Sequence, residues 1–186
     1  MTNQIIPGSL GAIAQNESKS IAESFVSADV IIVVDTSGSM EARDSRGGNS
    51  RYDVALEELK RLQRDLPGKL AVVAFSSQVE FCPGGIPTFF RGGTDLTAAL
   101  QFVKVADGLV QFIVISDGQP DNKKTALSLA STFKSRIDVV YVGPEDDYMG
   151  GRKFLEKLAQ ASGGQFVTAD RAQQLADRVE TLLLSA

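Results

Sequence analysis

Short β-branched runs alternate with amphipathic stretches along most of the chain. Asp29 to Val34 reads Asp-Val-Ile-Ile-Val-Val, a run without polar interruption that predicts a strand buried on both faces. Leu70–Phe75, Leu109–Ile115 and Ile137–Val142 have the same character, and Gln165–Thr168 predicts a short last strand. Ser77 to Phe81 alternates polar and apolar residues, the pattern of an edge strand. Between these runs the apolar positions fall three and four apart. Tyr52, Ala55, Leu56, Leu59 and Leu62 form one helical stripe, closed by Pro67-Gly68. Leu96, Ala99, Leu100 and Val103 form a second, and Ala126, Leu127, Ala130 and Phe133 a third. Phe154, Leu155, Leu158 and Ala159 form a fourth, stopped at Gly163-Gly164. Asp170 is placed to cap a terminal helix over 171–184 that carries Leu175, Val179, Leu182 and Leu183.

Buried strands alternating with amphipathic helices predict a three-layer, doubly wound, mostly parallel α/β sheet. One antiparallel edge strand and helices on both faces complete this Rossmann-like expectation. Residues 1–28 read as an N-terminal extension and 29–186 as the domain. The first 16 residues lack periodicity, and a short amphipathic helix packing in cis is expected from about Glu17, with Ile21, Ala22, Phe25 and Val26 inward.

Composition narrows the chemistry. The 186 residues suffice for one well-buried core. The net charge of -4 argues against phosphate-backbone binding, so no nucleic-acid partner is expected. The longest apolar run, Val30 to Val34, is too short to span a bilayer, and no basic-then-apolar leader opens the chain. No membrane association and a cytoplasmic location are therefore expected. Histidine is absent, which removes Ser-His-Asp and Cys-His nucleophiles and His-ligated metals. The single cysteine, Cys82, can form neither an intrachain disulfide nor a thiolate cluster and reads as a small core residue. Any metal site must be built from oxygen ligands, which suits Mg²⁺, Mn²⁺ or Ca²⁺.

Ligands in open α/β sheets bind where strands deliver their carboxyl ends. The first strand runs into Asp35-Thr36-Ser37-Gly38-Ser39-Met40, with oxygen-bearing side chains at alternate positions and a glycine between the serines. Gly92-Gly93-Thr94-Asp95 precedes the second stripe, and Ser116-Asp117-Gly118 follows the strand Leu109–Ile115. Each segment alone is compatible with an ordinary turn or helix cap. Together they place two carboxylates and three hydroxyls on one rim, with small neighbours, as a hard dication requires. Asp117 is expected at the depth of Asp35 if the two strands are parallel neighbours.

Asp35-x-Ser37-x-Ser39, Gly93-Thr94-Asp95 and Ser116-Asp117-Gly118 resemble, in order and spacing, the three-part metal-ion-dependent adhesion site of von Willebrand factor A-type domains. The resemblance covers roughly Ala28 to Ala186. It implies that Ser37, Ser39 and Thr94 contact an ion, Mg²⁺ in the first instance, and that Asp35 and Asp117 act through bridging waters. It implies a sixth position filled by a Glu or Asp of a protein partner, and a C-terminal helix whose shift is coupled to the site. Members without leader or disulfides suggest an intracellular adaptor in a multi-protein assembly, with ATPase machines as one setting. Interface cores favour aromatic residues, Met and Arg. Met40, Phe90, Arg91, Tyr148 and Met149, with Gln119 beside the ligands, are accordingly candidate partner contacts. The segment Arg43 to Arg51, with Gly47-Gly48, reads as a flexible surface loop. The alternative is a Mg²⁺-dependent phosphoryl-transfer enzyme using Asp35. Haloacid dehalogenase-like phosphatases place a second carboxylate two residues on, where this chain has Ser37, and no Walker-type phosphate loop is present. No catalytic residue is therefore assigned.

Overall fold

The computed structural model describes residues 5–18, 20, 27–89 and 91–169. Its centre is a six-stranded sheet. The strands are β1 (Val30–Asp35), β2 (Leu70–Phe75), β3 (Val79–Phe81), β4 (Gln111–Ser116), β5 (Ile137–Tyr141) and β6 (Phe166–Thr168). Their order across the sheet is β3-β2-β1-β4-β5-β6. Every neighbouring pair is parallel except β2 with β3, where Ala74 faces Glu80. The expected mostly parallel sheet with one antiparallel edge strand is what forms.

The uninterrupted apolar runs are explained by burial on both faces. All six residues of β1 and of β2 are buried. Alternate residues feed two cores. Ile31, Val33, Val73, Phe75, Val114 and Val139 pack under three helices, α3 (Leu96–Val103), α4 (Lys123–Ala130) and α5 (Gly151–Ala161). Val30, Ile32, Val34, Val72, Ile113 and Val140 pack on the other face against Val54, Ala55, Leu59 and Leu62 of α2 (Arg51–Asp65). Cys82 is a buried free thiol in this second core, as its composition-level reading expects.

Local chemistry sets the helix starts. The Ser50 hydroxyl accepts from the Asp53 N–H at 3.0 Å, Asp95 from the Ala98 N–H at 2.9 Å and Asn122 from the Thr125 N–H at 3.0 Å. Asp95, rather than Thr94, is therefore the cap of α3, which leaves the Thr94 side chain free of that task.

The N-terminal region departs from the sequence reading. A helix, α1, spans Leu10–Glu17, all but its last residue within the 16 residues read as aperiodic, and Ser9 caps it through the Ala12 N–H at 3.3 Å. Only Leu10, Gly11 and Ala14 of this helix are buried, too few large apolar side chains to leave a period in the sequence. Close backbone approach does the anchoring. The Gly11 N–H donates to the Pro83 carbonyl at 2.8 Å, and a Cβ on Gly11 would stand 2.9 Å from that oxygen. The helix expected from Glu17 and the terminal helix over 171–184 fall largely or wholly outside the described residues. Among the described residues no helix is long and apolar enough to cross a membrane.

Candidate functional site

β1 lies at the centre of the sheet, and the chain leaves it first toward β2 and later returns on its other side as β4. The carboxyl ends of β1 and β4 therefore flank the point where strand order reverses, the usual crevice of an open α/β sheet. Asp35 ends β1. The register pairs Val34 with Ile115, so the residue level with Asp35 is Ser116, and Asp117 stands one residue further out. This corrects the expectation that Asp117 shares the depth of Asp35. The Ser116 hydroxyl donates to Asp35 Oδ2 at 2.6 Å, and the Ser37 N–H donates to Asp35 Oδ1 at 2.9 Å. Both oxygens of the buried Asp35 are thus engaged.

After Asp35 the chain is fixed to β2 by Thr36, whose N–H and hydroxyl both donate to the Phe75 carbonyl, at 2.8 and 2.9 Å. It then enters a single 3-10 turn, Gly38–Glu41. The hydroxyl oxygens of Ser37 and Ser39 lie 3.2 Å apart across its start. The loop before α3 meets this turn directly, because the Gly38 N–H donates to the Gly92 carbonyl at 3.2 Å. Gly92 has φ +117°, a conformation that favours glycine. Ser77 accepts the Gly93 N–H at 2.8 Å, and a Cβ on Gly93 would stand 2.8 Å from Asp121 Oδ2. The two glycines thus admit Ser77 and Asp121. Asp121 also accepts the Thr94 N–H at 3.1 Å and donates its own N–H to the Thr94 carbonyl at 3.0 Å. Three loops distant in sequence are cross-linked in this way, and Asp35, Ser37, Thr94 and Asp117 are each nearly or fully buried within them, with Ser39 half-buried.

The electrostatics of the pocket are unbalanced. Burial pushes the Asp35 carboxyl up to about 6, the negative charge of Asp117 adds to the rise, and the hydrogen bonds from Ser116 and Ser37 only partly offset it. Asp117 receives its positive charge from one side only. Its Oδ2 lies 2.7 Å from Nη1 of Arg51, while its Oδ1 accepts a longer bond, 3.3 Å, from the Gln119 N–H. Arg51 is itself buried, and its guanidinium makes two further bonds to Asp44, at 2.7 and 2.8 Å.

The donor set suits a hard dication: two carboxylates, three hydroxyls, and like charges that a cation would relieve. Among the described residues, no group of three or more His, Cys, Asp or Glu side chains forms a metal nest. A metal held here would have to draw its remaining donors from serine and threonine.

The candidate partner surface divides. Tyr148 and Met149 project from the loop between β5 and α5, 92% and 69% exposed. That loop belongs to the site's rim, since the Asp117 carbonyl and the Gly118 backbone pack so tightly on Gly151 that a Cβ on either glycine would collide. Arg91 is exposed and paired with Glu41 at 2.7 Å. Gln119 is half-buried beside Asp117. Met40, expected at the partner surface, is instead fully buried in the core with Val54 and Leu59, so it anchors the Gly38–Glu41 turn and offers no surface. Phe90 lies outside the described residues.

Arg51, Asp44, Asp121 and Ser77, which brace the site loops from outside the candidate ligand set, were not singled out from the sequence. One signal for Arg51 was available. A cation in the first turn of a helix opposes the helix dipole, so its presence there points to an acidic partner.

No family model matches the chain, and no curated protein matches it. Solved structures do share its fold. An aerotolerance-related membrane protein from Bacteroides fragilis NCTC 9343, carrying multiple mutations to serines, superposes with a TM-score of 0.67 at 15% identity, over 86% of this chain and all of that one, 100%. Manganese-loaded TRAP protein from Plasmodium vivax superposes with a TM-score of 0.60 at 19% identity, over 82% of this chain and 72% of that one. A von Willebrand factor type A protein from Catenulispora acidiphila gives a TM-score of 0.59 at 18% identity, over 82% and 42%. The chain has the von Willebrand factor A-type fold.

Proposed function

We propose that this chain is a divalent-cation-dependent protein-interaction module, in which Ser37, Ser39 and Thr94, with Asp35 and Asp117, hold Mg²⁺ or a similar hard dication. The observation that carries the reading is the pair of buried carboxylates at the ends of β1 and β4, set among hydroxyls and left short of positive charge. A bound dication would supply charge compensation and an open Lewis-acidic position, which an external Glu or Asp is suited to fill. Neutral hydroxyl ligands strengthen that demand, because they cancel little of the ion's charge. The manganese-loaded structural neighbour supports the choice of ion class.

The partner is therefore a protein presenting an acidic side chain, received beside the exposed Tyr148 and Met149 and the Arg91–Glu41 pair. An intracellular adaptor role in a multi-protein assembly, including an ATPase-associated one, is the setting proposed. The phosphoryl-transfer alternative has less support. Asp35 is fully buried and both its oxygens accept hydrogen bonds, which leaves it poorly placed to attack a phosphorus atom.

The test is calorimetric titration of Mg²⁺ into wild type and Asp35→Ala, with generic phosphatase substrates assayed in parallel. Binding that is lost in the variant, without turnover, is the expected result. Turnover that depends on Asp35 would replace this reading with the enzymatic one.

A further inference from the structure

We propose that Arg51, braced by Asp44, is the positioning residue for Asp117, so that Asp44, a loop residue outside the metal site, sets how tightly the site takes a divalent cation. This rests on the reading of the site as a metal centre.

The two site carboxylates are held by different means. Asp35 is fixed by neutral donors, the Ser116 hydroxyl and the Ser37 N–H. Asp117 has one short bond, from Arg51 Nη1 at 2.7 Å, and one long backbone bond at 3.3 Å. Its orientation therefore depends on where the guanidinium sits. Arg51 could turn its fork onto Asp117 and engage both oxygens, the usual geometry of an Arg–carboxylate pair. Asp44 prevents this by taking Nε and Nη2 with its own two oxygens, at 2.8 and 2.7 Å. Only Nη1 remains for Asp117, so one oxygen of that carboxylate stays clear of the guanidinium.

Asp44 can act this way because the loop that carries it is pinned. The Ser45 hydroxyl donates to the Val142 carbonyl, just past the end of β5, at 2.5 Å. Arg46 donates to the Ala169 carbonyl, just past β6, at 3.1 Å, and pairs with Glu57 and Glu58 of α2 at 2.9 and 3.0 Å. Three consecutive residues thus reach the ends of β4, β5 and β6, the first of them through Arg51. The segment read from sequence as a flexible loop is a clasp on the rim. Asp44 itself is 43% exposed, so its removal leaves no buried vacancy.

The test is Mn²⁺ binding to metal-free wild type, Asp44→Ala, Arg51→Lys and Asp35→Ala, read from the paramagnetic resonance signal of free Mn²⁺. Thermal melts in chelator run alongside. Loss of a partner that orients a metal ligand weakens binding about 10- to 100-fold. Asp44→Ala and Arg51→Lys are expected in that range, with the Asp44→Ala protein still folded and melting cooperatively. Unchanged affinity in Asp44→Ala, with or without a lowered melt, assigns the pair a structural role and overturns the proposal. Tighter binding in either variant also overturns it, because Arg51 would then be a competitor of the ion. If Arg51→Lys does not fold, Asp44→Ala decides alone. If wild type itself takes up no Mn²⁺, the metal-centre reading fails and this inference with it. Wild-type binding that Asp35→Ala abolishes and Asp44→Ala preserves removes this inference only.

Discussion

Replacing Asp35 with Asn should stabilise the metal-free protein while abolishing its divalent-ion binding. Asp35 is buried, and its carboxyl is pushed up to about 6 from an ordinary 3.8. Its ionised form is therefore disfavoured in the folded chain relative to the unfolded one. A rise from 3.8 to about 6 corresponds to roughly 3 kcal/mol of folding free energy withheld at pH 7. The sign follows from proton counting. Between the unfolded and folded values the native state binds more protons, so the group's favourable contribution is full below about 3.8 and is lost as the pH rises through 6. Asparagine removes the charge but turns one acceptor into a donor, which costs about 1 kcal/mol at either the Ser116 or the Ser37 bond. The net gain at pH 7 is about 2 kcal/mol, or a melting temperature some 4–8 °C higher in a chain of this length. The assay is thermal and urea unfolding of wild type and Asp35→Asn in chelator at pH 7.5, 6 and 4.5. The advantage of the variant should shrink steadily toward the acid end. A variant less stable than wild type at pH 7.5, or a difference that does not change with pH, would refute the electrostatic account of the site.

Other outcomes follow from the same geometry. Divalent-ion affinity, measured by calorimetry, should fall about tenfold per pH unit below 6, because Asp35 must lose its proton to serve the site. Saturating Mg²⁺ should raise the unfolding free energy of wild type by about 2.7 kcal/mol at a hundred times the dissociation constant, and leave Asp35→Ala unmoved. Met40→Ala should cost about 2–5 kcal/mol in urea unfolding, since Met40 is fully buried beneath the Ser37–Ser39 turn. Tyr148→Ala, at an exposed position, should change stability by less than about 0.5 kcal/mol while weakening capture of an acidic partner. Gly85→Ala should destabilise strongly, by about 2 kcal/mol or more. Gly85 has φ +75°, and a Cβ there would collide with the buried Gln63 side chain.

The sheet was legible because burial on both faces leaves the stretches Val30–Val34, Leu70–Phe75 and Phe112–Ile115 without a polar residue, and the edge position of β3 leaves an alternation. The site loops were legible for a related reason: strand ends in such a sheet converge, so oxygen-bearing residues just past Val34 and Ile115 had to meet. What the sequence concealed were relations set by distant contacts. α1 is held by backbone approach at Gly11 and Pro83 rather than by a stripe of large side chains. The clasp Asp44-Ser45-Arg46 reads as a polar loop until Val142, Ala169 and Arg51 are beside it. Met40 is polarisable and follows a candidate ligand, features shared by a contact residue and a core residue. Only the position of α2 decides between them. Ser116, not Asp117, stands level with Asp35, because register is fixed by the whole β1–β4 ladder and a one-residue offset cannot be read from either strand alone.

The most direct measurement of the central claim is an anomalous-difference map from a crystal grown in Mn²⁺. A single strong peak lying among Ser37, Ser39, Thr94, Asp35 and Asp117, with Asp44 still on Arg51, is the predicted result. Side chains resolved in these same positions with no peak between them at saturating Mn²⁺, or a peak ligated by other residues, would contradict it.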